Sequence, residues 1–206
     1  MLKKNILAVA LVLLLALAVS SAQATEAAYQ LDPNHSAVGF AVKHMTISTV
    51  RGQFTEFSGT FLVDEADFTK SSFEVRIKTA SVNTQNQNRD NDLRSPNFLD
   101  VANYPEMVFK SKRIEKSGDA YVAIGDLTIR GVTKEVPLRF TAAGPIRGMR
   151  GRSVIGIEAS TTINRQEFGV SWSRALDGGG LVVSDDVRIE INAELVKAEP
   201  PPPAAK

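Results

Sequence analysis

The sequence predicts an all-β domain of roughly eight antiparallel strands, a barrel or a sandwich, interrupted by one helical crossover. Three observations predict it. Apolar and polar residues alternate with a period of two in stretch after stretch, the mark of strands with one buried face. Nowhere does a strand pattern alternate with a helical one, as a parallel sheet requires. The one long interruption, 83–104, is amide-rich and carries a helix start signal at Ser95-Pro96.

The first strand lies in Leu31–Met45 and opens on the turn-forming cluster Asp32-Pro33-Asn34-His35. Val38, Phe40, Val42 and His44 then share one face, and Ala37, Gly39, Ala41 and Lys43 the other, with His44 at the rim. Thr46–Val50 connects to a second strand. There Phe54, Phe57 and Phe61, beside Gly52 and Gly59, read as a strand with a bulge or kink. Phe73, Val75 and Ile77 alternate with Glu74, Arg76 and Lys78 in a strand wet on one side. The crossover holds one or two short helices, with Ser95 as N-cap and Pro96 as first helical residue of a start, and Leu93, Phe98, Leu99 and Val101 as their buried side. A connection this long acts as a lid or plugs an open end of the sheet. Met107 and Phe109 begin a hairpin that turns at Lys116-Ser117-Gly118-Asp119 and returns along Tyr121–Arg130. Val136, Leu138 and Phe140 alternate with Pro137 and Arg139, and Pro137 places that strand at an edge or a bulge. Val154–Asn164 and Val187–Val196 are the last two strands, and 165–186 between them carries Trp172 and Gly178-Gly179-Gly180.

The 206 residues suit one domain with a sizeable core. Lys3 and Lys4, the apolar run Ile6–Val19 and an A-x-A site ending at Ala24 make residues 1–24 a cleaved secretory signal peptide. Residues 25–197 form the domain, and 198–206, with four consecutive prolines, a disordered tail. There is no cysteine, which removes disulfides, thiolate catalysis and iron–sulfur ligation. Without Lys3 and Lys4, 22 basic side chains face 23 acidic ones, a net charge of −1. A near-neutral chain without a basic stripe is a poor nucleic-acid binder, and no such partner is expected.

Catalytic machinery is not legible. The two histidines, His35 and His44, are nine residues apart, about 30 Å along a continuous strand, so they share no metal. His35 beside Asp32 reads as a turn cap. His44 reads either as a polar group meeting a ligand or as a core histidine bonded to a carbonyl. No G-x-S-x-G, G-x-G-x-x-G or P-loop pattern occurs. Arg147, Arg150 and Arg152 in a glycine loop read as a solvated hairpin tip. No metal, cofactor or enzymatic activity is expected.

Five blocks in order, LDPNHSAVGFAVKHM, RGQFTEFSGTF, LRSPNFLDVANYPEMVFKS, GDLTIRGVTKEVPL and INRQEFGVSW, resemble the YceI-like family over Tyr29–Val196. The resemblance implies an extended, eight-stranded, lipocalin-like barrel with an elongated apolar pocket. It also implies a periplasmic protein that binds a polyisoprenoid, such as an isoprenoid quinone or a polyprenol, or another long-chain amphiphile, with transient membrane contact for ligand exchange, as a monomer or homodimer. The histidine of the first block is His44 here. The inward candidates are Val38, Phe40, Val42, Phe57, Phe61, Val75, Ile77, Phe109, Ile124, Leu138, Phe140, Ile163, Ile189 and Ile191, joined by Phe98 of the crossover. In a hollow barrel they line the pocket; in a filled one they are its core. Chain length is then set by pocket depth, and the head group is selected weakly at the rim by His44, Arg94 or Asn97. Three readings follow: a lipid carrier, an enzyme or electron-transfer partner using His44 on a bound quinone, and a ligand-free interaction protein.

Overall fold

The computed structural model describes residues 26–148 and 151–199. The stretch expected to be a signal peptide, Arg150 and the prolines of the tail lie outside the described residues. The strands are β1 (Ala27–His44), β2 (Ser48–Phe54), β3 (Phe57–Val63), β4 (Ser72–Lys78), β5 (Val82–Asn83), β6 (Glu106–Ser117), β7 (Ala120–Ile129), β8 (Val132–Arg147), β9 (Ser153–Asn164) and β10 (Val183–Lys197). One helix, α1 (Gln87–Arg94), sits in the crossover.

Closure depends on the 18-residue length of β1. One edge of it pairs with β10 from Tyr29↔Lys197 to His44↔Val183. Its other edge pairs with β3 at its start and β2 at its end. Only Thr55 and Glu56 separate β2 from β3, so the two act as one kinked strand. The ring then runs through β4, β6, β7, β8, β9 and β10 back to β1, an eight-stranded antiparallel barrel. Strand β5 adds a two-residue flap on β2.

Four local expectations are corrected. Asp32–His35 does not precede the first strand but bulges within it, between the paired residues Asp32 and Ala37. Asp32 Oδ1 accepts the Asn34 N–H, and Pro33 supplies no donor, so the ladder breaks there and resumes. The link from β1 to β2 is only Met45–Ile47, with Met45 and Thr46 both at positive φ. The helix ends at Ser95 instead of starting there. Asn86 caps it by accepting the Arg89 N–H, and Pro96, with no N–H to donate, stops it. Finally, Pro137 lies in an interior strand; β8 pairs with β9 only from Arg139 onward, so the missing donor falls where that ladder has not begun.

At one end, which we call the floor, Tyr29, Val63, Ile155 and Leu195 pack together with Phe61, Phe68 and Ala142. At the other, the cap, the crossover and the 165–172 segment bring Leu93, Phe98, Leu99, Phe168, Val170 and Trp172 over the barrel. The outer face carries ion pairs such as Arg76–Glu106 and Lys112–Asp126, which are exposed and contribute little to stability.

Candidate functional site

Between floor and cap the barrel encloses a cavity of about 260 Å³. Strand alternation builds its wall. In β1 the inward positions are Val38, Phe40 and Val42; in β10 they are Val187, Ile189 and Ile191. Of the residues the sequence singled out, Val38, Phe40, Val42, Phe57, Phe61, Val75, Ile77, Phe98, Phe109, Leu138, Phe140, Ile163, Ile189 and Ile191 all line this one cavity. The barrel is hollow. Several of these groups, Phe40 and Ile189 among them, are only half-buried because they face the lumen instead of one another.

The wall is apolar almost throughout. Its polar side chains are Ser36, Ser71, Thr161, Asn192 and Arg165. From Leu195 to Val183 the lining follows β10 for about ten paired steps. At ~3.3 Å per residue and a barrel tilt near 40°, that makes a slot roughly 25 Å long. One side is an aromatic tier: Phe61 stacks on Phe73 at 6.1 Å between ring centroids, and Phe73 on Phe109 at 5.6 Å.

Four expected site residues are not on this wall. Ile124 faces outward, because its neighbours Ala123, Gly125 and Leu127 are the inward ones, with the Phe109 ring lying over Gly125. His44 is displaced by a slip in the β1–β10 register, where Val42 meets Val187 but His44 meets Val183. Arg94 is committed elsewhere: its Nε and Nη2 donate to the carbonyls of Ala80 and Val82 at 2.8 and 2.6 Å, tying α1 to β5. Asn97 is exposed in the turn after Pro96.

The cap is held by arginines donating to carbonyls. Arg130 Nη1 reaches the Phe98 carbonyl at 2.6 Å, and the Phe98 ring lies 5.4 Å from Trp172. Arg165 is buried and bonds the carbonyls of Val170, Trp172, Val183 and Ser184 as well as Asp185. Burial pushes its pKa down and Asp185 opposes the shift, yet all five guanidinium donors are used. Sequence reasoning missed Arg165, since nothing in INRQEF separates a buried arginine from a surface one. It also left out Phe54, Phe73, Val136 and Val187, whose alternation with the residues chosen was the available signal.

The floor is pinned by Tyr29, whose hydroxyl donates to Glu65 Oε1 at 2.7 Å and lies 3.1 Å from Ser153 Oγ. Lys197 Nζ donates to the same Glu65 oxygen at 2.6 Å. Burial raises the Tyr29 phenol to about 12; Ser153 opposes this and the Glu65 carboxylate adds to it. Glu65 itself is held below its ordinary value by Lys197 and then by Tyr29. Among the described residues, metal-ligand spacing occurs at Asp32, His35 and Glu194, on the outside of the β1 bulge. His35 Nδ1 is bonded to Asp32 Oδ2 at 2.9 Å there, which raises the histidine and lowers the aspartate. This exposed cluster is the cap of the bulge that the sequence suggested, and none of its three residues lines the cavity.

Comparison with known proteins agrees with this architecture. A UPF0312 protein of Staphylococcus aureus (strain USA300) is 33% identical over 172 residues, covering 83% of this chain and 98% of that protein. The crystal structure of a Campylobacter jejuni YceI protein is 34% identical, with a TM-score of 0.67 over 76% of this chain and 90% of that one. A polyisoprenoid binding domain from Saccharophagus degradans, implicated in plant cell wall breakdown, shares the fold at 16% identity and a TM-score of 0.61, covering 84% of this chain and all of that one. The YceI-like domain model matches residues 29–195, end to end of the barrel, and the chain belongs to the YceI-like family.

Proposed function

We propose that this protein is an exported, non-enzymatic carrier that holds a polyisoprenoid chain, as an isoprenoid quinone or a polyprenol, inside the barrel. The observation that carries the reading is the elongated lumen with an almost wholly apolar wall. Such a wall recognises a ligand by the apolar surface it removes from water, at about 25 cal/mol per Å². It offers few polar groups to a head group, and the one charged group on it, Arg165, is already saturated by carbonyls and Asp185. Length favours a long chain. A slot of roughly 25 Å exceeds the ~15 Å of one leaflet, half of a ~30 Å hydrocarbon core, that an ordinary acyl chain spans. The polyisoprenoid binding domain with the same fold supports the ligand class. Loading and release fit the cap, which is built from separate segments hydrogen-bonded in place, better than the floor, which is built from the barrel strands. His44 as an acid–base group on a bound quinone gains no support from its position off the wall.

Trp172 is the one tryptophan of the chain and packs at a tilt against Phe98, a wall residue, so its emission reports on the lumen. Titration with a polyprenol or a long-tailed quinone is expected to change that emission saturably at one chain per protein. It is also expected to raise the melting temperature, by an amount that corresponds to about 2.7 kcal/mol when free ligand is a hundredfold above Kd. Neither change with either ligand would falsify the carrier reading.

A further inference from the structure

We infer that two inward glycines, Gly52 and Gly59, set the bore of the lumen at two depths, Gly59 limiting the length of chain it accepts and Gly52 the width of the passage that every chain crosses, an inference that rests on the chain-binding reading above. Neither glycine has a backbone conformation that demands glycine, since neither falls at positive φ. Space is what demands it. A Cβ at Gly52 would stand 2.4 Å from Phe40 Cζ and 2.8 Å from Thr84 Cγ2. A Cβ at Gly59 would stand 2.6 and 2.7 Å from Phe61 Cε2 and Cζ, and 3.1 Å from the Glu74 carbonyl. In each case the end of a cavity-lining ring occupies the room the missing side chain leaves. Adding the methyl drives the ring off the wall and into the lumen. Gly125 holds the Phe109 ring the same way, but a Cβ there would also meet the Lys110 carbonyl at 2.5 Å, so a substitution would move backbone as well.

The two rings sit far apart along the barrel axis. Phe61 is paired with Tyr29, which is opposite Lys197, whereas Phe40 is opposite Ile189, eight residues away on β10. At ~3.3 Å per residue and a tilt near 40°, that separation is roughly 20 Å. Phe61 therefore bounds the deep end at the floor, and Phe40 the passage near the cap, where Thr84 precedes α1.

The experiment loads the purified full chain from phosphatidylcholine vesicles containing polyprenols of graded length and measures what each variant retains. Gly59→Ala is expected to weaken retention of the longest prenols about tenfold while leaving the shortest unchanged. Gly52→Ala is expected to weaken all lengths alike, because every chain must pass Phe40. Gly59→Ala with Phe61→Leu should restore the wild-type length profile, and Phe61→Leu alone should shift it to longer chains, a readout that stands even where Gly59→Ala fails to fold. A folded Gly59→Ala variant with the wild-type profile, or Phe61→Leu without any shift, overturns the inference while the carrier reading survives. Wild-type chain that takes up none of the series overturns both.

Discussion

Tyr29 shows how a single side chain ties the floor together and makes its stability depend on pH. The phenol is 3% exposed and its pKa is raised from 10.0 to about 12. Below pH 10 the folded and unfolded chains both keep the proton, and the contribution is complete. Between pH 10 and 12 the unfolded chain releases it and the folded chain does not, so stability falls across that window. The fall is about 2–3 kcal/mol for a shift of this size. Urea unfolding of the wild-type chain and of Tyr29→Phe across the window checks this; equal slopes for the two would remove Tyr29 from the account. The same scale shows what a sequence conveys about single positions. Val38, Phe40 and Val42 were legible because alternation alone puts them on one face. Ile124 was misread because on β7 the wall position belongs to Gly125, beneath a phenylalanine ring, and the larger apolar residue points outward. His44 followed the right alternation, but a register slip on the neighbouring strand moved it. Neither a ring in space nor a slip in a partner strand leaves a trace in the local pattern.

At the scale of elements, the cap is where sequence reading and structure part most. The helix lies in the amide-rich run ahead of Ser95, not after it, because Asn86 caps it and Asp90 reaches back to accept both the N–H and the hydroxyl of Thr84. These contacts bind the helix to the barrel through polar groups, so its sequence lacks the apolar stripe by which a docked helix is usually found. The 165–185 segment is organised in the same manner around Arg165. Arg165→Met keeps the length of the side chain but removes the guanidinium from four carbonyls and from Asp185, which keeps only Gln166 Nε2 as a side-chain donor. It is expected to destabilise the fold by about 3 kcal/mol, in the range for breaking a buried ionic network from one side. Hydrogen exchange should localise the loosening to 168–185, and protection unchanged there would show that the segment is held by something else. Loss of the Phe98–Trp172 contact in this variant would also shift the emission of Trp172.

Across the whole molecule, the barrel was legible because nearly every strand alternates and because a chain of this length can bury one core. Whether that core is filled was not legible. The same apolar residues line a lumen or pack against each other depending on strand tilt, on closure, and on where glycines leave room for rings. The structure resolves this in favour of a lumen, and on it rests the proposal that the protein carries a long isoprenoid chain. The most direct measurement is to express the full chain for export, purify it from the periplasm without detergent, extract it with organic solvent and identify what the extract contains by mass spectrometry. About one polyprenol or isoprenoid quinone per protein is expected, recovered again when the protein is purified from a second growth condition. An extract without isoprenoid, from protein that polyprenols and quinones do not stabilise against heat, would contradict the proposal.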